Sequence, residues 1–304
     1  MSFTLLSVHR IVWSAGLLTA LLVGVPASVV AEGPSSAEYG VVLNLSGKQR
    51  MLSQKMSKEI MLVALGIQAE QNLENLRQTS SLFDKTLKGL RVGDADLRLP
   101  PTSSARILRQ LDKVDQVWAR FNSVVQEILS NNAVNAEQAA VVAKENLPLL
   151  KEMNKTVGLY ENDAAGGGLK SAPGLAATIN LSGKQRMLTQ KMSKEFLLVA
   201  NGYEAEDNKL ALLETYTLFE RTLKGLLDGD ETLGLPGTKA PEIREQLAVV
   251  NKLWEQFKPL VEYGADYKTT SIELDRINAL AETNLPLLAE MNKAVGMYER
   301  EAAR

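Results

Sequence analysis

"NLSGKQRMLSQKMSKE" at Asn44–Glu59 returns as "NLSGKQRMLTQKMSKE" at Asn180–Glu195, with Ser53 giving way to Thr189 as the one change. The repetition extends well beyond this phrase. "TLKGL" stands at Thr86–Leu90 and again at Thr222–Leu226, Trp118 has its counterpart in Trp254, and "NLPLLKEMNKTVGLYE" from Asn146 returns as "NLPLLAEMNKAVGMYE" from Asn284. The offset is 136 (Asn44 to Asn180) as far as the tryptophans and 138 (Asn146 to Asn284) after them. Two residues have therefore been added between Trp254 and Asn284, in the loop "EYGADYKTT". A repeat this long marks a duplicated supersecondary unit.

Each unit patterns as four helices. In the first, helix 1 covers about Ala37–Gln68 and helix 2 about Gln71–Leu90, ending where "RVGDADLRLPPTSS" interrupts the apolar period with glycine and paired proline. Helix 3 runs from about Ser104 to Leu129. Helix 4 opens at a capping box, Asn135 with Gln138, whose expected counterpart is Thr270 with Glu273. Pro148 and Pro286 fall inside helix 4, where each removes one backbone hydrogen bond and favours a bend. Apolar residues recur at helical spacing and no segment alternates as a strand does, so the expected fold is all-α, two tandem antiparallel four-helix bundles at 37–163 and 175–302. The link between them, "AAGGGLKSAPG" at 164–174, is short and glycine-rich, which predicts bundles that reorient but stay close.

The first 31 residues carry His9-Arg10 followed by an uncharged apolar run, with Val29 and Ala31 ahead of Glu32. This is the pattern of a cleaved secretory signal peptide at 1–31, with an N-terminal membrane anchor as the alternative, and it predicts a periplasmic protein. His9 is the single histidine and the chain has no cysteine. A mature chain starting at Glu32 then lacks imidazole and thiolate, which removes the usual zinc, iron–sulfur and haem ligands and Ser–His or Cys–His nucleophilic catalysis. No catalytic residue, metal site or resident cofactor is expected. Thioether ligation of copper by Met51, Met56, Met187 and Met192 is a weak alternative, because methionine is more often a core filler. With 34 basic and 36 acidic residues, no electrostatic footprint for nucleic acid exists.

On a helical wheel Leu45, Leu52, Met56 and Val63 form the stripe of helix 1 that faces its own bundle. The opposite face gathers Ser46, Gly47, Ser53, Gln54 and Ser57 within about 60° of Arg50, at about 100° per residue. The second copy repeats it with Ser182, Gly183, Arg186, Thr189, Gln190 and Ser193. Local pairing of Arg50 with helix 4 carboxylates such as Glu152 or Glu161 is the ordinary structural alternative. A core needs only apolar character and volume, so polar letters kept between two copies point to a site.

The phrase resembles the signature of the PilJ/NarX-type sensor domain, a four-helix periplasmic input module of nitrate/nitrite sensor kinases and of a pilus chemotaxis transducer. The resemblance covers nearly the whole chain after residue 31, as two modules. It implies that Arg50 and Arg186 clasp one small oxyanion, nitrate or nitrite first, with Gly47 and Gly183 one turn earlier beside it and Ser46, Ser182, Ser53 and Thr189 lining the place. The spelling "GKQRMLSQKM" is closer to the pilus-transducer branch than to the kinases. The chain stops at Arg304 without a kinase or methylation region, so signalling is expected to need a membrane-bound kinase or chemoreceptor as partner. A homodimer is the alternative to pairing within one chain. The competing function is a helical adaptor that docks to a receptor, kinase or pilus component without a small ligand, betrayed by an apolar surface patch.

Overall fold

The computed structural model describes residues 33–304, so the signal peptide expected at 1–31 lies outside the described residues. Eight helices follow in order: α1 (Ser36–Ala64), α2 (Ala69–Val92), α3 (Ala105–Asn131), α4 (Ala136–Gly166), α5 (Leu175–Ala200), α6 (Ala205–Asp228), α7 (Pro241–Ala265) and α8 (Leu274–Glu301). Among the described residues there is no strand, only two isolated bridges, Asp94 with Leu99 and Asp230 with Leu235, which close the loops after α2 and α6. Gly93 and Gly229 end those helices at φ 86° and 96°, and a Cβ on Gly93 would stand 3.2 Å from Pro101. No described helix is long and apolar enough to cross a membrane.

Each repeat forms one bundle. In the first, α1 packs on α2 and α4, and α3 on α4; in the second, α5 packs on α6 and α8, and α7 on α8. The repeated tryptophans anchor equivalent aromatic clusters, Phe83–Trp118–Phe121 and Phe219–Trp254–Phe257. Their indole nitrogens donate to Asp84 and Glu220.

The most extensive helix pair in the molecule is α1 with α5, which joins the two repeats. A Cβ on Gly47 would stand 4.0 Å from the Gly183 Cα, and the reverse holds. Lys58 reaches Asn284, which itself bonds Thr189 and Ser193 on α5. Equivalent positions therefore lie at the same level, and α1 and α5 run parallel about a pseudo-twofold axis. From Gly40 to Val63 only Asn44, Leu45, Lys48 and Lys55 fall short of burial.

This arrangement departs from one expectation. The link between the bundles is folded into turns, with Leu169 N bonding Ala164 O at 2.9 Å, Leu169 buried, and the Ser36 hydroxyl donating to Gly168 O. Together with the α1–α5 packing it holds the repeats as one compact unit rather than letting them reorient. The polar face of helix 1 is buried: Ser46, Ser53, Gln54 and Ser57 have no exposed surface.

The capping box at α4 is present, with Gln138 N bonding Asn135 Oδ1 at 2.8 Å and Asn135 N bonding Gln138 Oε1 at 3.1 Å. Its expected counterpart, Thr270 with Glu273, does not form. The offset that aligns Asn146 with Asn284 places Glu273 opposite Asn135, and α8 starts after it at Leu274 without a side-chain cap. The Glu273 carboxylate instead accepts from the Tyr263 hydroxyl. Helices α4 and α8 continue through Pro148 and Pro286.

Candidate functional site

Because α1 and α5 lie side by side in register, the two copies of the phrase meet, and Gly47 and Gly183 let the backbones approach. The point where a Cβ on Gly47 would stand is 3.3 Å from Arg50 Nη2 and 3.8 Å from Arg186 Nη2; for Gly183 the distances are 3.4 Å to Arg186 and 3.8 Å to Arg50. Both arginines are thus brought to one place, and both are buried, at 3% and 1% exposure.

Their Nη2 hydrogen bonds cross between repeats, while their Nη1 bonds stay within one. Arg50 Nη2 donates to the carbonyl and the side-chain oxygen of Asn180 at 3.1 and 2.8 Å, and Nη1 to Asn154 Oδ1 at 3.3 Å. Arg186 Nη2 donates to Asn44 O at 3.0 Å and Nη1 to Asn292 Oδ1 at 2.7 Å. The asparagines in turn donate to carboxylates, Asn180 to Glu161 and Asn44 to Glu299. Among the described residues neither arginine has a carboxylate within ion-pair distance. Glu152 is taken by Lys155 and Gln110, and Glu161 meets Arg50 only through Asn180. Arg50 Nε and Arg186 Nε are buried donors with no acceptor among the described residues.

Burial pushes both guanidiniums down, Arg50 to about 10 and Arg186 to about 9. The charge of Arg50 adds to the push on Arg186, and repulsion being mutual it acts on both; Glu161 and Glu299 oppose it. Both stay protonated at neutral pH. Lys48 and Lys184 flank the pair, each lowered first by burial and then by the arginine of the other repeat.

The remaining predicted residues are buried at the same seam but are occupied locally. Ser46, Ser182, Ser53 and Thr189 each donate to the carbonyl three residues earlier on their own helix. The methionines Met51, Met56, Met187 and Met192 belong to the hydrophobic core. Among the described residues no group of three or more His, Cys, Asp or Glu could hold a metal ion.

Two turns further along, a second crosswise pair appears. Lys58 donates to Asn284 at 2.9 Å and Lys194 to Asn146 at 3.2 Å, joining each first helix to the fourth helix of the other repeat. Burial drives both ammonium groups down to about 8. Sequence reasoning passed over these contacts, although the signal was present. The second repeated phrase supplies Asn146 and Asn284, Asn154 and Asn292, and Glu161 and Glu299, all partners of the first phrase.

The family model for the type IV pili methyl-accepting chemotaxis transducer N-terminal domain, PilJ, matches this chain twice, over residues 35–143 and 169–280. The methyl-accepting chemotaxis protein McpN of Pseudomonas aeruginosa is 31% identical over 125 residues, covering 41% of this chain and 22% of that protein. Protein PilJ of the same organism is 24% identical over 218 residues, covering 69% of this chain and 30% of its own length. The matched part thus spans less than a third of either relative. Duplicated four-helix bundles, a shared helix 1 phrase in each and a double match to one domain model agree: the chain belongs to the PilJ family of chemotaxis transducer N-terminal domains.

Proposed function

We propose that this chain is a periplasmic sensor module that binds one small oxyanion, nitrate or nitrite first, between Arg50 and Arg186, and passes the signal to a membrane-bound chemoreceptor or kinase. The observation that carries this reading is two buried guanidiniums facing one place, each with an Nε–H that lacks an acceptor and neither with a carboxylate in contact. A buried donor left without an acceptor costs about 1–3 kcal/mol, and an anion removes that cost at both arginines together. It also turns their repulsion into charge-assisted hydrogen bonds, and a planar guanidinium suits a flat oxyanion. The family and its chemotaxis relatives support a sensory role for such a site. The chemistry is binding, with Asn180 and Asn44 relaying charge balance from Glu161 and Glu299.

Melting curves of residues 32–304 with nitrate, nitrite, sulfate and chloride test this directly. Selective stabilisation by nitrate or nitrite, growing with ligand concentration as mass action requires, is expected. Equal curves for all four salts would remove the anion from the account.

A further inference from the structure

The two repeats serve as controls for each other, and the site between them is not symmetric. Arg50 spends three of its five N–H groups, on Asn154 and on both oxygens of Asn180, while Arg186 spends two, on Asn292 and on the backbone oxygen of Asn44. Asn44 Oδ1, the counterpart of the side-chain oxygen that Arg50 holds on Asn180, is buried without a donor. Arg186 therefore keeps the larger number of free donors. The repeated phrase does not account for this, because both arginines and both asparagines are spelled alike in it.

The copies differ one step further out. Asn44 donates to Glu299, and Asn180 to Glu161, in the same way. Glu299, however, also accepts from Arg98 Nη2 at 3.0 Å, whereas Glu161 has no cation within ion-pair distance among the described residues. Arg98 lies in the loop after α2, and at the 136-residue offset of Asn44 from Asn180 its counterpart is Gly234. Both stand in the left-handed region, at φ 55° and 66°. Glycine enters that region freely and arginine is strained in it. The first repeat thus bears a strained backbone where the side chain reaches the fourth helix of the other repeat. Of the other charges on this groove, Glu38 is bound to Ser35, and Arg300 makes no ion pair with Glu299.

We propose that Arg98 is a positioning residue of the anion site: by binding Glu299 it draws that carboxylate, and with it the Asn44 side chain, away from Arg186, and so makes Arg186 the arginine with the larger hold on the ligand. This rests on the shared-anion reading and adds to it an order between the two arginines. Glu299 is the carboxylate that favours the charged form of Arg186, as Glu161 does for Arg50. A carboxylate shared between two cations balances each of them less. An anion at Arg186 then meets more free donors and less negative charge than at Arg50.

Calorimetry of residues 32–304 with nitrate and nitrite tests this, on wild type, R50M, R186M, R98G, E299Q and R98G/E299Q. R98G installs the residue of the second repeat and relieves the backbone, so the fold is kept, which the melting temperature checks. R186M should weaken binding about tenfold more than R50M, the worth of one hydrogen bond to a charged group. R98G should weaken it about three- to fivefold in wild type, the scale of a partly exposed ion pair, and not at all in E299Q, because its route runs through Glu299. Should R186M not fold, the cycle of R98G with E299Q decides alone. Loss of a distant positive charge, or a merely structural role, would weaken binding alike in both backgrounds, and that result overturns the proposal. So does an affinity unchanged by R98G, or an equal loss in R50M and R186M; the shared site stands in each of these cases. A wild type that binds neither anion instead fails the shared-site reading, and this inference with it.

Discussion

Replacing Arg50 and Arg186 by methionine, singly and together, separates what the pair does for the fold from what it does for a ligand. Methionine keeps the apolar stem and removes the charge. Both Nη2 atoms lie within 4 Å of one point. Taking their separation as about 6 Å and the effective dielectric as about 20, the guanidiniums repel by about 3 kcal/mol. Arg50 makes three hydrogen bonds and Arg186 two, each contributing roughly 1 kcal/mol net. In anion-free buffer a single Arg→Met loses these bonds and strands its asparagine acceptors but regains about 3 kcal/mol from the relieved repulsion, so its net cost should be only about 1–3 kcal/mol. The double variant has no repulsion left to relieve. It should cost about 3 kcal/mol more than the sum of the singles.

Affinity should couple in the opposite direction. If one anion touches both arginines, each single change weakens binding by about 1.5–3 kcal/mol, and the double variant loses less than the sum because the ligand is shared. Denaturant unfolding in anion-free buffer and calorimetry with nitrate measure the two cycles on the same four proteins. Additivity in both, or two anion sites each abolished only by its own substitution, would refute the shared-site reasoning.

Gly47→Ala should hold or raise the anion-free melting temperature, since alanine favours a helix interior by about 1 kcal/mol over glycine. The new methyl would stand 3.3 Å from Arg50 Nη2, so nitrate affinity should fall, and unchanged affinity in calorimetry would place the ligand elsewhere. Lys58 and Lys194 titrate at about 8 when folded, below the roughly 10.4 of an unfolded lysine. Between those values the unfolded chain holds protons that the folded chain has released, so unfolding free energy should rise from pH 8 towards 10, and K58M/K194M should flatten that rise. The tyrosines raised to about 12, Tyr160 and Tyr298, act oppositely but only above about pH 10. Pro148→Ala should leave nitrate affinity unchanged while raising the melting temperature, because it restores a helical hydrogen-bond donor; a loss of binding with the fold intact would give Pro148 a direct role.

The architecture was legible because a duplicated phrase fixes helix order twice over, and because Arg50 and Arg186 stand out as charges on a face of small residues. What could not be read was burial. A helical wheel separates an apolar stripe from a polar one, and by that measure Ser53, Gln54 and Ser57 face water; it is the parallel pairing of α1 with α5 that takes them out of it. The asparagine partners were hidden by distance, since Arg50 and Asn154 are 104 residues apart and no local period links them. The missed helix start at α8 has a smaller cause: Thr270 and Glu273 have the letters of a capping box, but the inserted residues lengthen the loop and move the cap to Glu273.

The crosswise geometry also explains why one part of this chain kept its letters while another changed. At the seam each contact takes one residue from each repeat: Arg50 with Asn180, Arg186 with Asn44, Lys58 with Asn284, Lys194 with Asn146. A change in either copy of the phrase strands a buried polar group of the other copy, at about 1–3 kcal/mol or more for a charge. Both copies are therefore held to the same spelling. Even so the symmetry is not complete, because Arg50 bonds both oxygens of Asn180 while Arg186 bonds only the backbone oxygen of Asn44 and leaves Asn44 Oδ1 unpaired. Residues on the outer faces touch only their own bundle, so Leu210 and Leu213 could replace Glu74 and Arg77 without cost at the seam. Duplication within one chain thus fixes the crosswise seam in two copies and leaves the outer surfaces free to diverge.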